Sequence, residues 1–225
     1  MSIEENLNKI KKNISNNATL VAVSKTKPIE DIQIAYDLEQ RDFGENKVQE
    51  LIEKEEILPK DIRWHFIGNL QTNKVKYLVN KVYLIHSLSS IKLLKKIEDE
   101  FSKQNSTANL LIQINVGKEE SKSGIYEEDL LELINEVEKC NSCKVMGLMA
   151  IIPKGNDEEN RFYFKKMKSI FDDLSKKSYK NINMKILSMG MTHDYKIALE
   201  EGSNLIRVGE GIFGKRNIVG GMTNG

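Results

Sequence analysis

Thr19-Leu20-Val21-Ala22-Val23-Ser24-Lys25 is an apolar run closed by a lysine, and it reads as a fully buried strand, the first of eight. Further strand-like segments fall near 41–46, 63–68, 81–87, 109–116, 144–151, 184–190 and 204–209. Between them lie stretches with apolar residues three and four apart, from Ile29 to Leu38, Val48 to Ile57, Ile91 to Phe101, Leu130 to Val137 and Phe162 to Leu174, the spacing of amphipathic helices. Strands alternating with helices pair in parallel through right-handed crossovers. Eight such units in 225 residues predict an α/β fold, a single (β/α)8 TIM barrel at the small end of its size range. An open doubly wound sheet is the competing architecture, but it predicts one crevice and no ring of functional strand ends. The barrel is expected over 1–217, with a flexible Gly-rich tail over 218–225.

The composition narrows the function. The chain is 40% hydrophobic and 30% charged, with a net charge of +1, an ordinary balance for a globular domain. No basic block supplies an electrostatic footing for nucleic acid. No apolar stretch is long enough to span a bilayer, and Met1-Ser2-Ile3-Glu4-Glu5-Asn6 lacks the pattern of a signal peptide. A cytoplasmic location is expected. Cys140 and Cys143 form a C-x-x-C between a helix end and a strand, the wrong place for a thioredoxin-type pair. No second pair completes a zinc site, so the cysteines read as structural.

In a barrel the carboxyl ends of all the strands meet on one face, where barrel enzymes keep their chemistry. Those ends carry Lys25, Phe43-Gly44-Glu45-Asn46, His65-Phe66-Ile67-Gly68, His86, Asn115, Met149, Ser188-Met189-Gly190-Met191-Thr192 and Arg207-Val208-Gly209-Glu210-Gly211. Turn-making accounts for Gly68. It accounts poorly for Lys25, Asn46, Ser188, Thr192 and Arg207 together. A desolvated lysine can lose its proton and become a nucleophile able to form a Schiff base; half-neutralising it at pH 7 takes roughly 4–5 kcal/mol of environment. Across the mouth, Ser188, Thr192 and the Gly209 region form a phosphate grip of the type barrels build after their last two strands. Arg207 adds a cation that donates hydrogen bonds and accepts none. Amine, phosphate grip and ring-facing arginine suit pyridoxal 5′-phosphate (PLP). An arginine at the pyridine nitrogen keeps that nitrogen unprotonated and the ring a weak electron sink. His65, inside a largely apolar strand, reads equally as a general base or as a hydrogen-bonded core residue, and His86 reads better as core than as a base at the mouth.

Seven short motifs occur in one order: Val21-Ala22-Val23-Ser24-Lys25-Thr26-Lys27-Pro28, Phe43-Gly44-Glu45-Asn46, Trp64-His65-Phe66-Ile67-Gly68, Leu70-Gln71-Thr72-Asn73-Lys74, Ser121-Lys122-Ser123-Gly124, Gly147-Leu148-Met149-Ala150 and Ile206-Arg207-Val208-Gly209. In these the chain resembles the YggS/PROSC family of PLP-homeostasis proteins over nearly its whole length. The resemblance implies a barrel similar to the N-terminal domain of alanine racemase. It also implies an aldehyde-binding Lys25, with Arg207 and Gly209 at the ring nitrogen and phosphate, Ser188 and Thr192 at the phosphate, and Asn46 in the pocket. The expected partner is PLP, with PLP-dependent apoenzymes as possible recipients, and a monomer is expected. One departure stands out. His193 takes the place where the family commonly has an acidic residue, one position before Asp194. The competing functions are an amino-acid racemase and a cofactor-free Schiff-base aldolase. By the resemblance, a racemase would need a second base from a C-terminal domain that has no counterpart in this sequence.

Overall fold

The computed structural model describes residues 1–14 and 17–215, and the tail expected over 218–225 lies outside them. Eight parallel strands close into a barrel in sequence order: β1 (Thr19–Val23), β2 (Asp42–Glu45), β3 (Arg63–Phe66), β4 (Leu84–Leu88), β5 (Ala108–Ile114), β6 (Cys143–Ala150), β7 (Ile182–Ser188) and β8 (Leu205–Val208). β8 pairs back onto β1, with Val21 opposite Arg207. The helices are α1 (Ile3–Lys12), α2 (Ile29–Asp37), α3 (Val48–Ile57), α4 (Ile91–Ser102), α5 (Leu130–Val137), α6 (Asp157–Ser175), α7 (Tyr195–Glu200) and α8 (Glu210–Phe213).

Alternation along each strand sorts side chains to two cores. Leu20, Ala22, Phe43 and Phe66 face outward into the large layer between strands and helices. Val21, Leu84, Leu111, Met149 and Leu205 face inward and fill part of the barrel. Asp42, His65, His86, Ser188 and Arg207 are buried polar residues of the barrel strands.

Two units depart from a regular strand–helix repeat. The β3–β4 crossover is a 3-10 turn, Thr72–Tyr77, in place of an α-helix. Val75 and Leu78, both buried, stand three residues apart, which matches three residues per turn and turns both toward the sheet. At the other end, α8 has only four residues, and α1 packs against it. Asn6 Nδ2 donates to the Ile212 carbonyl at 3.0 Å. α1 starts at a capping box in which Ser2 Oγ accepts from Glu5 N and Ser2 N donates to the Glu5 carboxylate, satisfying two end donors reciprocally.

Candidate functional site

A cavity of about 260 Å³ opens at the carboxyl ends of the strands, and Lys25, Asn46, Thr192, His193, Arg207 and Gly209 stand on its wall. Of the residues expected to form a site, Ser188 alone is not on this wall. It is fully buried beneath it. Met191 and Glu210 also line the cavity.

Local chemistry sets this wall. Gly190 turns the chain out of β7 with φ +94°, and a Cβ there would stand 2.6 Å from Ala198 Cβ, so the turn requires glycine. Arg207 N donates to the Gly190 carbonyl at 3.0 Å, tying this turn to β8. Asp194, the N-cap of α7, accepts from Met191 N at 2.6 Å, while His193 beside it faces the cavity. Gly211 N donates to Thr192 Oγ1 at 3.2 Å, joining the last two loops. On the opposite side, a Cβ at Gly68 would lie 2.1 Å from the Asn46 carbonyl oxygen; the absence of a side chain is what lets the β3 loop pass beneath Asn46.

Two buried polar systems support the wall. The first lies outside the barrel, between β1, β2 and α3. Lys54 Nζ donates to the Ser24 carbonyl (2.8 Å), Glu45 Oε1 (2.7 Å) and Glu50 Oε1 (2.7 Å), which uses all three ammonium donors. Ser24 Oγ donates to Glu45 Oε1 at 2.6 Å. Glu50 also accepts from Thr26 N, where the backbone takes φ +63°. The residues on both sides of Lys25 are thus anchored to one helix. Lys27 extends the anchoring by donating to the Phe213 carbonyl at 2.8 Å, at the end of α8. Burial, against the pull of Lys54 and the hydrogen bonds from Lys54 and Ser24, pushes Glu45 up to about 7. Its Oε2 is buried with no hydrogen-bond partner among the described residues, which gives a proton a place to sit while Oε1 keeps Lys54.

The second system runs through the barrel interior. Arg207 Nη1 donates to Ser188 Oγ at 2.6 Å and Nη2 to the Ala150 carbonyl at 2.9 Å. His86 Nδ1 lies 3.2 Å from Ser188 Oγ, His86 Nε2 lies 2.9 Å from His65 Nδ1, and His65 Nε2 lies 3.0 Å from Asp42 Oδ1. Asp42 also accepts a bidentate pair from Arg63. Burial opposes the ionisation of Asp42, but the hydrogen bonds from His65 and Arg63 outweigh it and hold the carboxyl below its ordinary range. Burial, then the neighbouring His65 and Arg207, holds His86 well below the usual histidine range, so it is neutral. Burial lowers Arg207 to about 10, which leaves it a cation at neutral pH.

Other candidates have structural places. Asn115 Nδ2 donates to the Glu119 and Lys122 carbonyls and its Oδ1 accepts from Glu119 N, folding the loop after β5. Cys140 and Cys143 are free and buried. With Glu98 they are the one group among the described residues close enough to share a metal ion. The Glu98 carboxylate, however, accepts from Asn141 N and Ser142 N. The hydrogen bond shared with Cys140, then burial, holds the Cys143 thiol up. No helix among the described residues is long and apolar enough to cross a membrane.

The model of the alanine racemase N-terminal domain family matches residues 1–217. A pyridoxal phosphate homeostasis protein of Aquifex aeolicus is 44% identical over 203 residues, covering 89% of this chain and 88% of the relative. The chain belongs to the pyridoxal phosphate homeostasis proteins. A Haemophilus influenzae member of that family is 39% identical over 231 residues, covering 96% of this chain and 97% of its own. Among solved structures, PipY of Synechococcus elongatus with PLP bound has a TM-score of 0.86 and 32% identity, covering 95% of this chain and 100% of PipY. The Clostridium difficile alanine racemase has a TM-score of 0.79 at 15% identity, covering 96% of this chain and 57% of the racemase. That likeness is one of fold, and it places the family's barrel on the racemase's larger chain.

Proposed function

We propose that the chain binds pyridoxal 5′-phosphate in the cavity at its strand ends and serves PLP homeostasis in the cytoplasm, buffering or delivering the cofactor with little or no turnover. The observation that carries this reading is the presence of Lys25 and the buried cation Arg207 on one cavity wall. The donor set suits the group. Lys25 supplies an amine for the aldehyde. Thr192, whose oxygen already accepts from Gly211 N, keeps its hydroxyl proton for a phosphate oxygen. Arg207 offers N–H groups to a ring nitrogen that is a good acceptor only when unprotonated. Asn46 and the Gly209 turn complete the walls.

Lys25 would hold the cofactor through its amine, which can take the aldehyde as a Schiff base with loss of water. When bound, the cofactor supplies an electron sink. Arg207 limits that sink, because a guanidinium that stays charged at neutral pH donates to the ring nitrogen without giving up its proton. Ser24, Glu45 and Lys54 fix the strand end from which Lys25 projects. The chain acts as a monomer, and PLP-dependent apoenzymes are its recipients.

The test is a titration with PLP followed by visible absorbance, run beside an assay with L- and D-alanine. The expected outcome is a band that saturates near one equivalent, absent in Lys25→Ala, with no interconversion of the alanine enantiomers. Steady interconversion lost in Lys25→Ala would establish the alternative, a PLP-dependent amino-acid racemase. A wild-type protein that gains no band would refute both.

A further inference from the structure

The inward-facing polar residues of β2, β3, β4, β7 and β8 make one continuous chain, and its hydrogen-bond direction can be worked out from its two ends. Arginine only donates, so Ser188 Oγ accepts from Arg207 and has one proton to give. At the other end Asp42 is ionised, held by two bonds from Arg63, so it only accepts. His65 Nε2, 3.0 Å from Asp42 Oδ1, must carry the proton, because a bare nitrogen there would set lone pair against lone pair. In a neutral imidazole the other nitrogen is bare, so a neutral His65 accepts at Nδ1 from His86 Nε2–H at 2.9 Å. His86 Nδ1 is bare in turn and accepts the Ser188 proton at 3.2 Å. Every link now runs one way, from Arg207 through Ser188, His86 and His65 to Asp42. With both imidazoles neutral the reverse direction fails at Asp42, and both ring nitrogens of both histidines are used.

We propose that Ser188, His86 and His65 are positioning residues for Arg207: a one-way donor chain anchored on Asp42 fixes both imidazoles as the Nε2–H tautomer and presents the Ser188 oxygen to the guanidinium. Two guanidinium N–H groups are thereby seated on the barrel wall, on Ser188 and on the Ala150 carbonyl. The others are left for the cavity that Arg207 lines. Ser188 acts behind Arg207 rather than on the phosphate. The chain also makes the far rim of the barrel part of the site. Asp42 and Arg63 border a second cavity of about 300 Å³ there, with Thr19, Tyr83 and Lys185. The step from positioned guanidinium to positioned cofactor rests on the ring-facing reading of Arg207 above.

Two measurements separate the chain from that reading. Side-chain ¹⁵N NMR of the cofactor-free protein reports the tautomers directly, and both His65 and His86 are expected neutral and protonated at Nε2. An Nδ1–H form or a charged imidazole at either position at neutral pH would overturn the chain whether or not PLP binds. The second measurement uses the PLP-loaded protein. His86→Phe removes both links, whereas His86→Gln keeps an acceptor and a donor on one side chain. His86→Phe is expected to displace the absorption maximum of the bound cofactor and to speed its release about tenfold, the scale of one charge-assisted hydrogen bond. His86→Gln is expected to recover most of both. If Arg207→Gln alters band and release while His86→Phe changes only the melting temperature, the histidines are structural and the positioning role is wrong. If Arg207→Gln changes neither, the ring-facing reading itself fails and the positioning role fails with it. Should His86→Phe not fold, the tautomers of the unaltered chain still decide the matter.

Discussion

Inside the barrel, the groups behind Arg207 are two imidazoles and a hydroxyl that hand hydrogen bonds along in one direction in the proposed chain. Outside it, the groups beside Lys25 are two carboxyl groups and a carbonyl that converge on a single ammonium, Lys54. Both systems are buried, and both end at the cavity wall. They differ in what they can specify. A converging ion cluster pins position, because three acceptors at 2.7–2.8 Å around one nitrogen leave it no freedom. A one-way chain specifies orientation and protonation, because each member's donor is committed by the one before it. On the proposed function, the lysine that takes the aldehyde needs a fixed strand end, and the arginine that presents N–H groups needs a fixed direction.

The largest effect expected from breaking this contrast is on the charged side. Lys54→Met leaves Glu45 and Glu50 facing each other beside the Ser24 carbonyl without their cation. Removing one partner of a buried pair costs about 3–5 kcal/mol, measurable as a lower denaturation midpoint in urea at constant slope.

The next effect concerns acid, which loads the two systems in opposite directions. Glu45 titrates near 7 in the folded protein and near 4.3 unfolded. The folded state therefore holds the extra proton between those values, and this carboxyl's contribution to stability falls as pH rises through the window. His86 is held well below the ordinary histidine range, so the unfolded state binds the extra proton. Its contribution is complete above about 6.5 and is lost as pH falls below that value. Glu45→Gln removes one slope and exposes the other. Between pH 7 and 5 the variant is expected to lose stability more steeply than the wild type, by up to about 1.4 kcal/mol per pH unit, in urea melts at several pH values. Equal slopes would mean that Glu45 is ionised throughout the window.

A smaller effect belongs to the outer end of the chain. The Arg63 side chain is 46% exposed, so Arg63→Gln is expected to cost at most about 1 kcal/mol. His65 keeps its place on Asp42 in that variant, and the His65 and His86 tautomers should not change in ¹⁵N spectra.

The fold was legible because parallel barrels write themselves as alternation. β1 is buried from Leu20 to Val23, and Lys25 at its end could be seen to face the mouth. Arg207 and Thr192 could be read the same way. Ser188 could not, because a strand-end hydroxyl looks alike whether it faces up into the mouth or down into the barrel, and only the register tells them apart. The histidine pair was hidden for a related reason. His65 lies opposite Leu84, two residues before His86, so both imidazoles point inward at contact distance. Residues 21 apart in sequence carry no local sign of that. Lys54 was missed because Glu50 and Lys54, four apart on a helix, have the pattern of a solvated surface pair. Tertiary packing against β1 and β2 buries Lys54 on Glu45 behind the site and leaves Glu50 at its edge.

The measurement that tests the central claim most directly is borohydride reduction of the PLP-treated protein, followed by peptide mass mapping. Pyridoxyl phosphate fixed on Lys25, with loss of the visible band, is the expected result. Label on other lysines alone, with Lys25 unmodified, would contradict the site at the carboxyl ends of the strands.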